Sequence, residues 1–133
     1  MLRMVFVADA FVAAAFGIGL VVAPGLVFSM YGLHTDASGE FLARLLGAFV
    51  LGWSPLLWWA RDQTATPLGL AITRSNAILD TIATVLSVAA CLRGVMNGAG
   101  WTIVAIFVVF GSVRLYFGFI APVSASHPTG SAH

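Results

Sequence analysis

Four long stretches with very few charged side chains dominate this chain of 133 residues. A hydrocarbon core about 30 Å thick needs roughly 20 helical residues to cross it, so stretches of this length predict membrane spans. We expect spans at about 4–28, 40–60, 68–92 and 101–120, followed by a polar tail at 124–133. Barrel strands would alternate apolar and polar residues, whereas these stretches are apolar on every side. The sequence therefore predicts an all-α fold, an integral membrane four-helix bundle, and the short connectors make it antiparallel.

Composition supports a lipid environment. The hydrophobic residues make up 60% of the chain and the charged residues 8%, about a third of the charged share of an average soluble domain. A chain this short has too much surface for so few charges to cover, and disorder requires the opposite composition. Six arginines, no lysine and five acids give a net charge of +1, so there is no basic field for nucleic acid. The expected surroundings are a lipid bilayer.

Proline and arginine refine the topology. Pro24 and Gly25 are expected to end or bend the first span, and the segment after them could lie along the headgroup surface. Asp9 interrupts the apolar run near the start, which favours a retained first helix over a cleaved signal peptide. The side of the termini has four arginines, Arg3, Arg61, Arg74 and Arg114, and the other side has Arg44 and Arg93. This excess predicts that both termini are cytoplasmic.

Small residues four apart occur twice in each of the first two spans. Such pairs let helices approach closely in lipid, where no hydrophobic force drives helices together. We interpret them as internal packing contacts, and a dimerisation face is the alternative. The pairs are Ala13 with Gly17, Ala15 with Gly19, Ala43 with Gly47, and Ala48 with Gly52.

Six polar residues form one stripe along the third span. They follow one another at spacings of three and four, so they share one helix face, which should not contact lipid. One interpretation is a polar seam that other helices cover and whose hydroxyls also bond to their own helix. The other is the lining of a hydrated cavity. The stripe consists of Thr73, Asn76, Asp80, Thr84, Ser87 and Cys91.

Ionisable residues inside the spans need partners, because an unpaired charge is costly in hydrocarbon. Depth along the helices predicts a polar cluster of Asp9, Arg74 and Arg114 near the cytoplasmic side and a deeper pair of Asp80 with Arg44. Two acids and three arginines leave one positive charge over. That charge would either reach lipid phosphate or hold an anionic ligand.

The sequence contains no recognisable catalytic motif. Glu40 and Arg44 are four residues apart in the order that favours a helical ion pair, which indicates helix support. Cys91 has no second cysteine for redox chemistry. The histidines are His34 in the first connector and His127 and His133 in the tail. Because none lies at metal-ligand spacing inside a span, we expect no metal, no cofactor and no enzyme class.

Several short motifs carry a resemblance to a known group. They are Ala23-Pro24-Gly25, Tyr31-Gly32-Leu33, the run from Ala43 to Ala48 with Gly52, and Trp59-Ala60-Arg61. Together they resemble small bacterial four-span membrane proteins of unknown function and, more distantly, DoxX-like proteins. Some of the latter are associated with quinone-linked sulfur oxidation or with membrane complexes that handle oxidative stress. The resemblance implies a bacterial plasma (inner) membrane and assigns no catalytic residue.

Two functional hypotheses follow. The first is a non-enzymatic accessory or scaffold subunit that packs against other membrane protein subunits, because catalytic groups are missing and every span has apolar faces. The alternative is a small homo-oligomeric carrier, or a lipid- or quinone-binding protein, that uses the polar face of the third helix. A quinone-linked redox role is a third hypothesis, which rests on the resemblance alone.

Overall fold

A computed structural model describes residues 1–121 of the chain, and within them every regular element is a helix. Four of the helices are long and apolar enough to cross a membrane, so the all-α prediction is confirmed and the protein is a multi-pass membrane protein. The predicted polar tail at 124–133 lies outside the described residues. The elements are α1 (Leu2–Val22), α2 (Pro24–Met30), α3 (Ala37–Ala60), α4 (Pro67–Leu92), α5 (Gly100–Leu115) and a π-helical turn (Tyr116–Ile120).

The first predicted span, 4–28, is two helices in the structure. Ala23 leaves helical geometry with φ −141° and ψ 63°, and α1 therefore ends at Val22. Pro24 then occupies the first turn of α2, where a missing N–H costs nothing. Gly32 closes this region with φ +73°, a conformation that glycine adopts without strain.

Side-chain caps fix the beginnings of the next two helices. Asp36 Oδ1 accepts a hydrogen bond from Gly39 N at 2.8 Å and starts α3. Thr66 Oγ1 accepts one from Gly69 N at 3.1 Å and starts α4. These caps satisfy N–H groups that the first turn of a helix leaves free. Both helices consequently begin slightly before the predicted positions 40 and 68.

The helices form two antiparallel pairs. In the first pair, α1 packs along α3. A Cβ at Gly17 would lie 3.0 Å from Gly47 O, and Ser54 Oγ donates to Ala10 O at 2.7 Å. Because the partner's number falls as the residue number in α1 rises, the helices run in opposite directions.

In the second pair, α4 packs along α5 and the π-helical turn. This pair also uses glycine. A Cβ at Gly118 would lie 3.6 Å from Thr73 Cγ2, and one at Gly100 would lie 2.8 Å from Cys91 Sγ. Each glycine on α5 or the π-helical turn thus lies against a polar residue of α4, again in antiparallel order.

The two pairs meet most closely at the end of the bundle that carries the N-terminus. At the other end, Asn97 in the connector before α5 forms hydrogen bonds with the last residue of α2 and with the residue after it. Its Nδ2 donates to Met30 O at 3.0 Å and its backbone N donates to Tyr31 O at 2.9 Å. The apolar cluster at the N-terminal end consists of Leu2, Phe6, Ala10, Leu57, Ala60 and Ile72, with Phe117 packed against it.

Candidate functional site: a buried charge cluster

One arginine connects three helices in the interior of the bundle. Arg114 on α5 has a side chain that is only 1% exposed, and its Nη1 donates to Asp80 Oδ2 of α4 at 2.5 Å. Its Nη2 donates to Asp9 Oδ2 of α1. We call Asp9, Asp80 and Arg114 the charge cluster. It joins the α1–α3 pair to the α4–α5 pair, because Asp9 belongs to the first pair and the other two residues belong to the second.

Local sequence on α5 makes room for this arrangement. Gly111 lies one turn before Arg114, and a Cβ at that position would lie 3.0 Å from Asp80 Cβ. The missing side chain therefore lets the backbone that carries Asp80 approach α5 closely. The guanidinium carbon of Arg114 lies over the ring of Phe110, 5.6 Å from the ring centroid.

The charge cluster has one more acid than it has cations. Asp80 is 3% exposed and Asp9 is 17% exposed, so both carboxylates are largely removed from the surroundings. Among the buried side-chain polar atoms of the described residues, only Arg114 Nε lacks a hydrogen-bond partner. The interior thus holds a formal charge of −1 when all three groups are ionised, together with one unused N–H donor.

Arg74, which was predicted to join Asp9 and Arg114, lies elsewhere. The structure brings Asp9 and Arg114 together, but Arg74 Nε donates to Gly118 O at 2.8 Å. That carbonyl belongs to the π-helical turn, whose i→i+5 pattern differs from the regular helix before it. The guanidinium carbon of Arg74 lies 5.4 Å from the Phe119 ring at the exposed edge of the bundle.

The predicted pair of Asp80 with Arg44 is wrong. Arg44 is 55% exposed and pairs with Glu40 on its own helix, with 3.7 Å between Nη2 and Oε2. The prediction matched the two residues by depth along the membrane, whereas contact also depends on which face of each helix points inward. The inward face of α3 carries Ala43 and Gly47, which are buried, and Arg44 is on the outward side. The helical Glu40–Arg44 pair predicted from the spacing is confirmed.

The first half of the polar stripe is a buried seam. Thr73, Asn76 and Asp80 are all buried. Asn76 Nδ2 donates to a carbonyl one turn back, Ile72 O, at 2.9 Å, and its Oδ1 accepts from Trp53 Nε1 at 3.3 Å. The amide therefore bonds within α4 and across to α3, as expected for a satisfied polar contact between helices.

The second half of the stripe is less covered. Thr84, Ser87 and Cys91 are half-buried, and within the described chain no residue of α4 after Asp80 is fully buried. Thr84 Oγ1 donates back to Asp80 O at 2.7 Å. Cys91 Sγ lies against the start of α5, where Gly100 has no side chain that would collide with the sulfur atom. The stripe thus follows the α4–α5 contact along its whole length but opens towards the α2 end of the bundle.

The sequence places Gly111 and Gly118 on one side of the fourth span beside Arg114, but sequence reasoning did not connect this glycine face of α5 with the polar stripe that it covers. Gly100, Gly111 and Gly118 are separated by 11 and 7 residues, close to three and two helical turns. They therefore lie along one side of the helix and its π-helical continuation, and this spacing was the signal available. Asn97, which bonds to the end of α2, was also missed, and its position in a connector gives no sequence signal.

No group of three or more His, Cys, Asp or Glu residues within residues 1–121 is arranged to hold a metal ion. His34 is exposed in the connector before α3. His127 and His133 lie outside the described residues.

Comparison with protein families, with curated proteins and with solved structures finds no match to this chain.

Proposed function

We propose that this protein is a non-enzymatic accessory or scaffold subunit of a larger assembly in a bacterial plasma membrane, with both termini in the cytoplasm. The observation that carries this proposal is a ridge on the outward face of α3. Its members are four residues apart, so they form one of the ridges through which helices pack. The outer ridge consists of Glu40, Arg44, Ala48 and Gly52, all exposed or half-exposed.

The small residues of the outer ridge repeat a motif that the protein already uses inside. Ala43 and Gly47 are buried against α1, where a Cβ at Gly47 would lie 2.8 Å from Leu20 Cβ. A Cβ at Gly52 meets nothing within 4 Å. The same helix thus presents two small-residue surfaces, of which the inner one is occupied. The outer one suits another helix, because small residues let helix backbones approach closely.

The charged pair on the outer ridge gives a second reason for a protein partner. Arg44 is seven residues into α3, about 10 Å along the helix axis, and its pair with Glu40 faces outward. A polar group at this depth is more stable against protein than against acyl chains. A partner helix that packs on Ala48 and Gly52 would also cover this pair, so we propose a transmembrane helix of another subunit as the occupant.

A pair of matched substitutions tests the proposal. Ala48→Leu adds bulk to the outer ridge, and Ala105→Leu makes the same change at an exposed alanine of α5. Each protein is purified from its native membrane in a mild detergent, and the mass and stoichiometry of the particle are measured. We expect the unmodified protein and Ala105→Leu to give one assembly of fixed stoichiometry with a larger protein, and Ala48→Leu to lose it while remaining monodisperse.

Three outcomes would contradict the proposal. The first is purification of the unmodified protein as a homogeneous monomer or homodimer. The second is an assembly that survives Ala48→Leu, and the third is equal disruption of the assembly by Ala105→Leu. The first two remove the need for a partner on the outer ridge. The third shows that added bulk anywhere on the surface disturbs the particle.

The alternative, a small carrier or lipid- or quinone-binding protein, is favoured by one observation. The polar stripe is buried up to Asp80 but half-buried at Ser87 and Cys91. Cys91 is the sole cysteine of the chain, so a water-soluble maleimide applied to intact membranes reports directly on hydration beside it. Rapid labelling would favour a hydrated path and the carrier, whereas protection until the protein is denatured would favour a seam.

A further inference from the structure

The charge cluster has a charge imbalance that the scaffold proposal does not use. With Asp9, Asp80 and Arg114 all ionised, the bundle interior carries a net negative charge in a medium of low dielectric constant, which is strongly unfavourable. Two carboxylates that share one site do not readily ionise together. We propose that the charge cluster is a proton-binding site, in which the two carboxylates share one proton and make the cluster neutral.

No other cation in the described residues is placed to balance the cluster. Arg3 of α1 pairs with Asp62 at the surface, and Arg74 of α4 bonds to the π-helical turn. On the turn itself, the exposed Tyr116 packs against Phe117. The side chains of α3 at this level, Trp53 and Ser54, are uncharged and bond to Asn76 and Ala10.

The unused donor of Arg114 is an independent sign of a bound group. Its Nε is buried and has no acceptor among the described residues, although buried N–H donors are almost always paired. An anionic ligand would satisfy the donor but would increase the negative charge. A water molecule that accepts from Nε satisfies the donor without adding negative charge. The proton bound by the carboxylates then supplies the charge balance.

The proton enters the charge cluster through Asp9. Its side chain is 17% exposed, compared with 3% for Asp80 and 1% for Arg114. In the binding step, a proton leaves a hydronium ion of the aqueous phase and forms an O–H bond with a carboxylate oxygen of the Asp9–Asp80 pair. Nothing is oxidised or reduced, and the displaced species is water.

Infrared spectroscopy of the whole protein in lipid vesicles tests this inference. The probe is the carbonyl stretch of a protonated aspartic acid at neutral pH, identified by its shift when the aspartates carry ¹³C in the side chain. We expect one protonated acid per chain in the unmodified protein. Asp9→Asn and Asp80→Asn each leave one acid for one arginine, so each should abolish the band. Arg114→Gln should increase it to two acids per chain.

Asp62→Asn is the matched control, because Asp62 is an exposed acid that pairs with Arg3 at the surface. This change should leave the band unaltered. The inference is overturned if the unmodified protein has no such band, a measurement that needs no variant to fold. It is also overturned if the band persists in both asparagine variants. If the unmodified protein has no band and sodium alone stabilises it, the site holds a metal cation and not a proton.

The outer ridge and the charge cluster lie on different faces, since the ridge is exposed on α3 and the cluster is buried between α1, α4 and α5. Loss of the assembly in Ala48→Leu and loss of the infrared band in Asp9→Asn are therefore separate results.

Discussion

Replacing Gly47 by alanine should push α1 away from α3, whereas the same change at Gly52 should be harmless. A Cβ at position 47 would lie 2.8 Å from Leu20 Cβ, 2.9 Å from Gly17 O and 3.0 Å from Val21 N. A relaxed contact between carbon atoms is about 3.5–4.0 Å. Two of these three atoms belong to the backbone of α1, so no side-chain rotation relieves the contact, and the helices themselves have to separate.

The magnitude follows from two opposing effects. Overpacking costs about 1–3 kcal/mol, and alanine in a helix is more favourable than glycine by about 0.5–1 kcal/mol. The free energy of unfolding should therefore fall by up to about 2.5 kcal/mol for Gly47→Ala. At Gly52, where a Cβ meets nothing within 4 Å, only the helix preference remains, and the free energy of unfolding should rise slightly.

The assay is reversible unfolding of the purified protein in mixed micelles with increasing SDS, followed by circular dichroism. The two variants should change the free energy of unfolding in opposite directions, which removes any general effect of alanine in a membrane helix. Equal shifts for the two variants would refute the reasoning, because the close approach of α1 and α3 at Gly47 would then have no energetic consequence.

Three further predictions concern the polar contacts. Arg114→Met should lower the free energy of unfolding by about 3–5 kcal/mol, because two buried carboxylates lose their cation. In the same SDS titration, Asp9→Asn should lower the free energy of unfolding by less than Arg114→Met does, since one acid and one arginine remain paired. Asn97→Ala removes the hydrogen bond to Met30 O, so hydrogen exchange should become faster in α2 but not in α1, at a cost of about 0.5–1.5 kcal/mol. Asp62→Asn should cost less than about 1 kcal/mol, and 1 M salt should diminish the effect.

The fold class could be predicted from the sequence because it depends on one physical quantity, the length of helix that crosses hydrocarbon. Charge-poor stretches of that length give the four long helices whatever their partners are. Turn chemistry is equally local, so Pro24 marked the break after α1. Helix pairing is different. It depends on how four helices share a limited number of small-residue faces, and no single stretch of sequence contains that information.

Depth along the helices was not enough to choose the arginine for Asp80, and the choice of Arg44 was wrong. In an antiparallel pair, positions equally far from the connector lie level with each other. The connector between α3 and α4 places Arg44 within about three residues of the level of Asp80, which is about 4.5 Å along the axis. The connector between α4 and α5 places Arg114 within about two residues of that level, which is about 3 Å along the axis. An arginine side chain is long enough to span either offset, so register did not distinguish the two pairs.

The choice is made by competition for the small-residue faces. Gly17 of α1 and Gly47 of α3 interlock, each admitting the backbone of the other helix. Once α1 occupies that face of α3, the glycine face of α5 is left for α4, and Gly111 accepts the Cβ of Asp80. Asp80 therefore meets the arginine of α5. Arg44 is left on the outward side of α3, on the same ridge as the exposed small residues Ala48 and Gly52. This ridge is the surface on which we propose that a partner helix packs.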